Sequence, residues 1–253
     1  YVLTKHVPNE TLERERNPMY WNDAETIMEK VVIKIVNDEN VALTRYLAGE
    51  FDKTGVPTGQ FLKMQKQYPA EVYSNPKLCT YYYSLNMGEN GPEALKDKRV
   101  RQALSYAIDR DIIVENILQA GQFPAYTFTP GATAGFSVPE VAAATMSQAE
   151  RDAKAAELLS AAGYDKGNPL AIEILYNTSE GHKKIAIAIS QMWKQKLGVE
   201  ATMQNQEWKT FLSTKGEGNY EVGRAGWCGD YNEASTFLDL VNSKSGYNDS
   251  KFS

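Results

Sequence analysis

Residues 170–204 constrain the fold more than any other stretch. "LAIEILY" (170–176) reads as a strand, "HKKIAIAISQMWKQKLG" (182–198) as a helix and "VEATMQ" (199–204) as a second strand. Strand, helix and strand in succession, each of modest length, form the βαβ signature. The fold class is therefore α/β or mixed α+β, with sheets flanked by helices.

The flanking sequence fits that class. "KVVIKIV" (30–36) alternates as a strand with one buried face must, and "ENVALTRYLAGEFD" follows as a short helix stopped by Gly49. "GQFLKMQKQYP" (59–69) is a short helix ended by Pro69, and the alternating aromatics of "KLCTYYYSLNM" (77–87) predict a strand. Gly88, Gly91 and Pro92 then break the chain and mark a candidate lobe boundary. Val100, Leu104, Ala107 and Ile108 have helical spacing. Asp109 reads as the cap of a further helix, "RDIIVENILQAG", expected to run to Gly121. Residues 122–146 are expected to be loop. Ser147 and Glu150 form a capping-box pattern before a helix ended by Gly163. "EWKTFLSTK" reads as a short helix and "YEVGRAGW" (220–227) as a strand.

Length and charge remove some functions. The 253 residues suffice for one large domain or two modest ones. No apolar run approaches the ~20 residues of a membrane helix. A net charge of −5 with no basic stripe argues against a nucleic-acid partner. The chain opens without Met or a signal-like segment and ends in polar residues. Both ends are expected to be cut, making this a piece of something longer. Cys79 and Cys228 are too few and too distant for a Cys-x-x-Cys zinc site. Two readings remain open: a pair of buried thiols, or one disulfide closing a loop of about 150 residues, worth about 5 kcal/mol in the chain-entropy model.

Catalytic patterns are weak. Cys228 with His182 as base would make a thiol enzyme, but no motif fixes such a pair: His6 lies near an end expected to fray, and His182 begins a helix. Phosphate-cradling glycine motifs are absent, and the acids are too dispersed for a metal site. Sequons at Asn9, Asn177 and Asn248 are read as coincidental turn chemistry.

One cluster is better suited to holding a ligand. In "RAGWCGDYN" (224–232), Asp230 offers a carboxylate for an ammonium group and Arg224 a planar fork for a carboxylate. Trp227 and Trp208 offer flat apolar walls. The backbone of Gly226–Trp227–Cys228 can continue as an exposed edge that pairs with an extended chain. A guest with an amine, a carboxylate and variable side chains between them is a short peptide. The competing reading makes Trp227 a core residue, Arg224 half of an internal ion pair and Asp230 a turn cap.

These residues also carry a family resemblance. "DKRVRQALSYAIDRDIIVENIL", "LCTYYYSLN", "ILYNTSEGHKK", "NQEWKTFL" and "RAGWCGDYNE" resemble the periplasmic solute-binding proteins that serve peptide ABC transporters, extracellular solute-binding family 5. "YWN", "ALTRYLAGEFD" and "PAYTFTPG" extend the resemblance over essentially the whole chain, in order. It implies a two-lobed periplasmic-binding-protein-like fold, incomplete here, with residues 1–78 part of a discontinuous first lobe and 79–253 most of the second. It implies a Cys79–Cys228 disulfide, an ammonium partner in Asp230, and main-chain bonds from Gly226 and Cys228. Trp227 and Trp208 would line side-chain pockets, Tyr82 would contact the ligand backbone, and Arg224, His182 and Lys215 would handle the carboxylate. It further implies a periplasmic monomer without cofactors that delivers short peptides to an inner-membrane ABC permease. A murein tripeptide receptor on the same scaffold is the alternative. Members of the family carry Arg at Lys215, His at Gly216, Tyr at Lys77 and Lys at Leu118. Those departures touch carboxylate handling and the larger side-chain pockets.

Overall fold

A computed structural model describes residues 1–253. The chain forms two compact units, Tyr1–Pro57 and Thr58–Ser253. The division between the two units falls between Pro57 and Thr58.

The first unit is an antiparallel sheet of three neighbouring strands, β1 (Val2–Val7), β2 (Thr11–Glu15) and β3 (Lys30–Lys34), followed by helix α1 (Glu39–Leu47). His6 does not lie in a frayed end: it sits in β1 opposite Leu12. A turn at Asn9, with φ of 60°, lets β1 and β2 pair. Glu13 bridges Lys30 at 2.5 Å and Lys5 at 3.1 Å across the sheet. Asp38 caps α1, its side chain accepting from the amides of Asn40 and Val41.

The second unit holds a mixed sheet in the order β4-β7-β5-β6, formed by β4 (Cys79–Leu85), β5 (Ala171–Asn177), β6 (Glu200–Gln206) and β7 (Val222–Cys228). β5 runs parallel to β6 and β7, whereas β4 is antiparallel to β7. The helices are α2 (Phe61–Gln67), α3 (Lys98–Tyr106), α4 (Arg110–Ile112), α5 (Ala142–Thr145), α6 (Gln148–Ala161), α7 (Glu180–Leu197), α8 (Trp208–Gly216) and α9 (Ser235–Leu238).

Side-chain alternation divides the sheet into two faces. Ile172, Ile174 and Tyr176 of β5 and Val222 of β7 share a core with α3, α6 and α7. Trp193 of α7 lies at its centre, 1% exposed, its indole N–H donating to the Leu104 carbonyl at 2.8 Å. Leu175 faces the opposite side with Phe211 of α8 and Tyr220.

The predicted punctuation is present. Ser147 and Glu150 form a reciprocal capping box on α6, and Gly49 and Gly163 follow α1 and α6 in the left-handed region at φ of 77° and 91°. One helix departs from expectation. α4 continues as a π-helix, Ile113–Leu118, and stops at left-handed Gln119 rather than at Gly121. The amide of Gln119 reaches back five residues to the Val114 carbonyl, and this wider turn takes up the chain early. Residues 122–146, expected to be loop, include the single turn of α5.

Candidate functional site

The site follows from the register of β4 and β7. Cys79 lies directly opposite Cys228, and the two form a disulfide with their Cα atoms 4.0 Å apart. Such close spacing marks a pair that does not exchange main-chain hydrogen bonds. The pairs on either side do the exchanging. Beyond the disulfide, Gly229 N–H donates to the Leu78 carbonyl at 2.9 Å, and at the other end Asn86 N–H donates to Glu221 at 3.0 Å. Alternation assigns ladder bonds to β4 to Ala225 and Trp227. The amides and carbonyls of Gly226 and Cys228 therefore point to the other edge of β7.

That edge has no neighbour there. β5 pairs with β7 only at Ile174–Val222 and Leu175–Gly223, and ends at Asn177. Gly226 and Cys228 are exposed. The last part of β7 is thus a half-paired strand with main-chain donors and acceptors spaced for one more extended chain. It also lies at the carboxyl ends of parallel strands, where open α/β sheets characteristically bind ligands.

The topology gathers side chains around this edge. β5 leads into α7, placing His182 in its first turn, and β6 leads into α8, placing Trp208 at its first residue. Trp208 is 51% exposed and stacks on Phe211 with ring centroids 5.9 Å apart. On one face, the Arg224 guanidinium carbon lies 4.9 Å from the centre of the Tyr81 ring, and its Nη1 donates to Asn177 Oδ1 at 3.2 Å. Arg224 has no carboxylate partner, so the expected internal ion pair is absent. Tyr81 Oη shares a 3.2 Å hydrogen bond with His182 Nδ1. Burial, reinforced by the nearby Arg224 charge, pushes the His182 imidazole down to about 4.

On the opposite face, Trp227 packs against Tyr247 with ring centroids 5.4 Å apart, and its indole N–H donates to Thr236 Oγ1 at 3.3 Å. The same hydroxyl accepts from the Asp230 amide at 3.2 Å, folding the chain back after Cys228. Gly229 suits this fold-back, since a Cβ would crowd Leu78, Thr236 and the Tyr231 carbonyl at 3.1 Å. The Asp230 carboxylate is exposed and makes no ion pair or side-chain hydrogen bond, so it does not act as a turn cap. Tyr82 packs edge-on against Phe128 at 4.8 Å. Burial first, then the Asp249 charge, raises its phenol to about 12.

Eight of the nine expected residues thus belong to one end of the sheet: Arg224, Gly226, Trp227, Cys228, Asp230, Tyr82, His182 and Trp208. Lys215 does not. It lies in the last turn of α8, about 10 Å along the helix from Trp208. It is buried and paired with Asp249 at 2.5 Å, so its charge is already answered inside the fold. Tyr81, Asn177 and Tyr247 were missed. Their proximity depends on register and fold-back, which the local sequence pattern does not display. The Cys228 sulfur is bonded to Cys79, leaving no free thiol for nucleophilic chemistry.

The site is thus a free strand edge flanked by a cation and an anion, neither of which is in an ion pair. The chain belongs to the bacterial extracellular solute-binding proteins, family 5, whose model matches residues 1–249. It is 48% identical over its full length to the periplasmic murein peptide-binding protein MppA of Escherichia coli, covering 47% of that protein. It is 44% identical over 98% of its length to the periplasmic oligopeptide-binding protein OppA of Salmonella typhimurium, covering 46% of it. The solved structure of the Escherichia coli murein tripeptide binding protein MppA superposes with a TM-score of 0.94 at 47% identity, covering all of this chain and 49% of that one. That of Haemophilus influenzae OppA in complex with RPPGFSPFR gives 0.91 at 40% identity, covering 99% and 49%. The chain spans about half the length of the curated relatives it matches.

Proposed function

We propose that the full-length protein binds short peptides in extended form and delivers them, in the periplasm, to an inner-membrane ABC permease. The observation that carries this reading is the unpaired main-chain edge at Gly226 and Cys228. Hydrogen bonds to peptide groups recognise any sequence, so affinity comes from the backbone and the charged ends while side-chain pockets stay permissive. Asp230 receives the ammonium and Arg224, next to His182, the carboxylate. Trp227 and Trp208 line the side-chain pockets, and Tyr82 contacts the ligand backbone. The names of the relatives, which bind oligopeptides or murein peptides, support the same class of ligand. Residues 79–253 belong to one lobe and 1–78 to a first lobe completed by segments outside this chain, with 58–78 packing on the second. The protein acts by binding, as a monomer, without turnover or cofactor.

Asp230→Ala in the full-length protein tests the assignment of the ends. A buried ammonium that loses its partner costs about 3 kcal/mol or more. Calorimetry should therefore show roughly hundredfold weaker binding of free-amine peptides and little change for N-acetylated ones. Equal losses for both would refute the role of Asp230. A preference for peptides containing D-residues and diaminopimelate over ordinary L-peptides would favour the murein receptor.

A further inference from the structure

Tyr83 lies directly opposite Arg224 in the ladder between β4 and β7. The two are a non-hydrogen-bonded pair, the kind whose side chains approach most closely, and they share one face of the sheet. Each has a buried polar atom with no hydrogen-bond partner: the phenol oxygen of Tyr83 and Nε of Arg224. Burying an unsatisfied polar group costs free energy that a phenylalanine would avoid, so a tyrosine here calls for a reason. The two atoms are complementary, because guanidinium Nε–H can only donate and a phenol oxygen can accept. Tyr83 also meets Tyr81 edge-on, ring centroids 6.0 Å apart, and Tyr81 carries the Arg224 guanidinium on its ring. Nη1 of Arg224 also donates to Asn177 Oδ1 at 3.2 Å, and the Tyr81 hydroxyl lies close enough to interact with both the guanidinium and the Tyr83 phenol. The guanidinium is therefore held at its face and its Nη end, while Nε–H has no acceptor.

We propose that Tyr83 is a positioning residue for Arg224: when a ligand carboxylate engages the guanidinium, Arg224 Nε–H donates to Tyr83 Oη. That bond satisfies both buried atoms together and fixes the plane of the fork. It makes recognition of the carboxylate depend on a residue the ligand never touches. The inference rests on the reading of Arg224 as the carboxylate partner. It goes beyond that reading in naming what orients Arg224.

The test compares Tyr83→Phe with Arg224→Met in the full-length protein. A free-carboxylate peptide and its C-amidated counterpart are titrated by calorimetry against each. Tyr83→Phe should weaken the free-carboxylate peptide about tenfold, the loss of one hydrogen bond to a charged group, and leave the amidated peptide within about twofold. In wild-type protein the Arg224 Nε–H resonance should become protected from exchange on binding the free-carboxylate peptide, and this protection should be lost in Tyr83→Phe. The melting temperature of Tyr83→Phe without ligand should not fall, since the hydroxyl removed makes no well-formed hydrogen bond there. Equal losses for both peptides, no loss for either, or an unchanged Nε–H signal overturns the role of Tyr83. If Arg224→Met still discriminates against the free carboxylate in that case, the peptide reading stands without it. If Arg224→Met shows no discrimination, the carboxylate role of Arg224 fails and the proposal fails with it.

Discussion

Strand β7 has two halves with opposite assignments. At Val222 and Gly223 it is buried and paired on both edges, with β4 on one side and β5 on the other. From Ala225 to Cys228 it keeps β4, pinned by the disulfide, but no longer has β5. The backbone is the same kind of strand throughout. What differs is whether its second row of amides and carbonyls has been used. A fold can thus leave a strand edge free for a further extended chain by letting one parallel strand outrun its neighbour, with no change in the strand itself.

The comparison breaks most readily at the buried half. Val222 is fully buried among Ile174, Ile185 and their neighbours, so Val222→Asp places an unpaired charge in the core. The expected cost is at least about 4 kcal/mol, read as loss of cooperative unfolding by circular dichroism. A well-folded Val222→Asp protein would mean this half is not structural.

Two proline substitutions one residue apart sharpen the contrast. Ala225→Pro removes an amide that bonds to β4 and should cost about 1–3 kcal/mol, through the orphaned acceptor in the partner strand. Gly226→Pro removes an amide with no partner in the fold, so the melting temperature should change less than for Ala225→Pro, while peptide affinity falls about tenfold. The reverse ranking of stabilities would show that the alternation of paired and free amides has been misassigned.

The smallest effect concerns acid. The His182 imidazole is held down to about 4 from its ordinary 6.5, so the folded state favours the neutral ring. Its contribution to stability is complete above about 6.5 and is lost as pH falls from there towards about 4. His182→Asn should therefore show a flatter decline in melting temperature over that window than wild type. Parallel declines would place His182 in a solvated environment rather than the buried one described.

Much of this was legible in sequence because it depends on local chemistry. Capping residues Ser147 and Asp109, the left-handed Gly49 and Gly163 and the strand–helix–strand run from 170 to 204 act through neighbours a few residues away. The concentration of Arg224, Trp227 and Asp230 in one short segment was equally visible. What local sequence hid was register. That Tyr81 rather than Tyr82 carries Arg224, and that Gly226 and Cys228 rather than Trp227 turn their amides outward, follows from which β4 residue stands opposite which β7 residue. "VLTKHV" and "TLERE" show little apolar alternation of their own, and they become β1 and β2 by pairing through a turn at Asn9. Lys215 was assigned to the ligand from resemblance, and its burial against Asp249 depends on a segment 34 residues away in sequence.

Amide hydrogen exchange along β7 in the full-length protein, with and without a short peptide, tests the central claim most directly. The amides of Ala225 and Trp227 should be protected in both states, and those of Gly226 and Cys228 should exchange freely without peptide and become protected with it. Protection of Gly226 and Cys228 in the absence of peptide, or free exchange of both at saturation, would contradict the account.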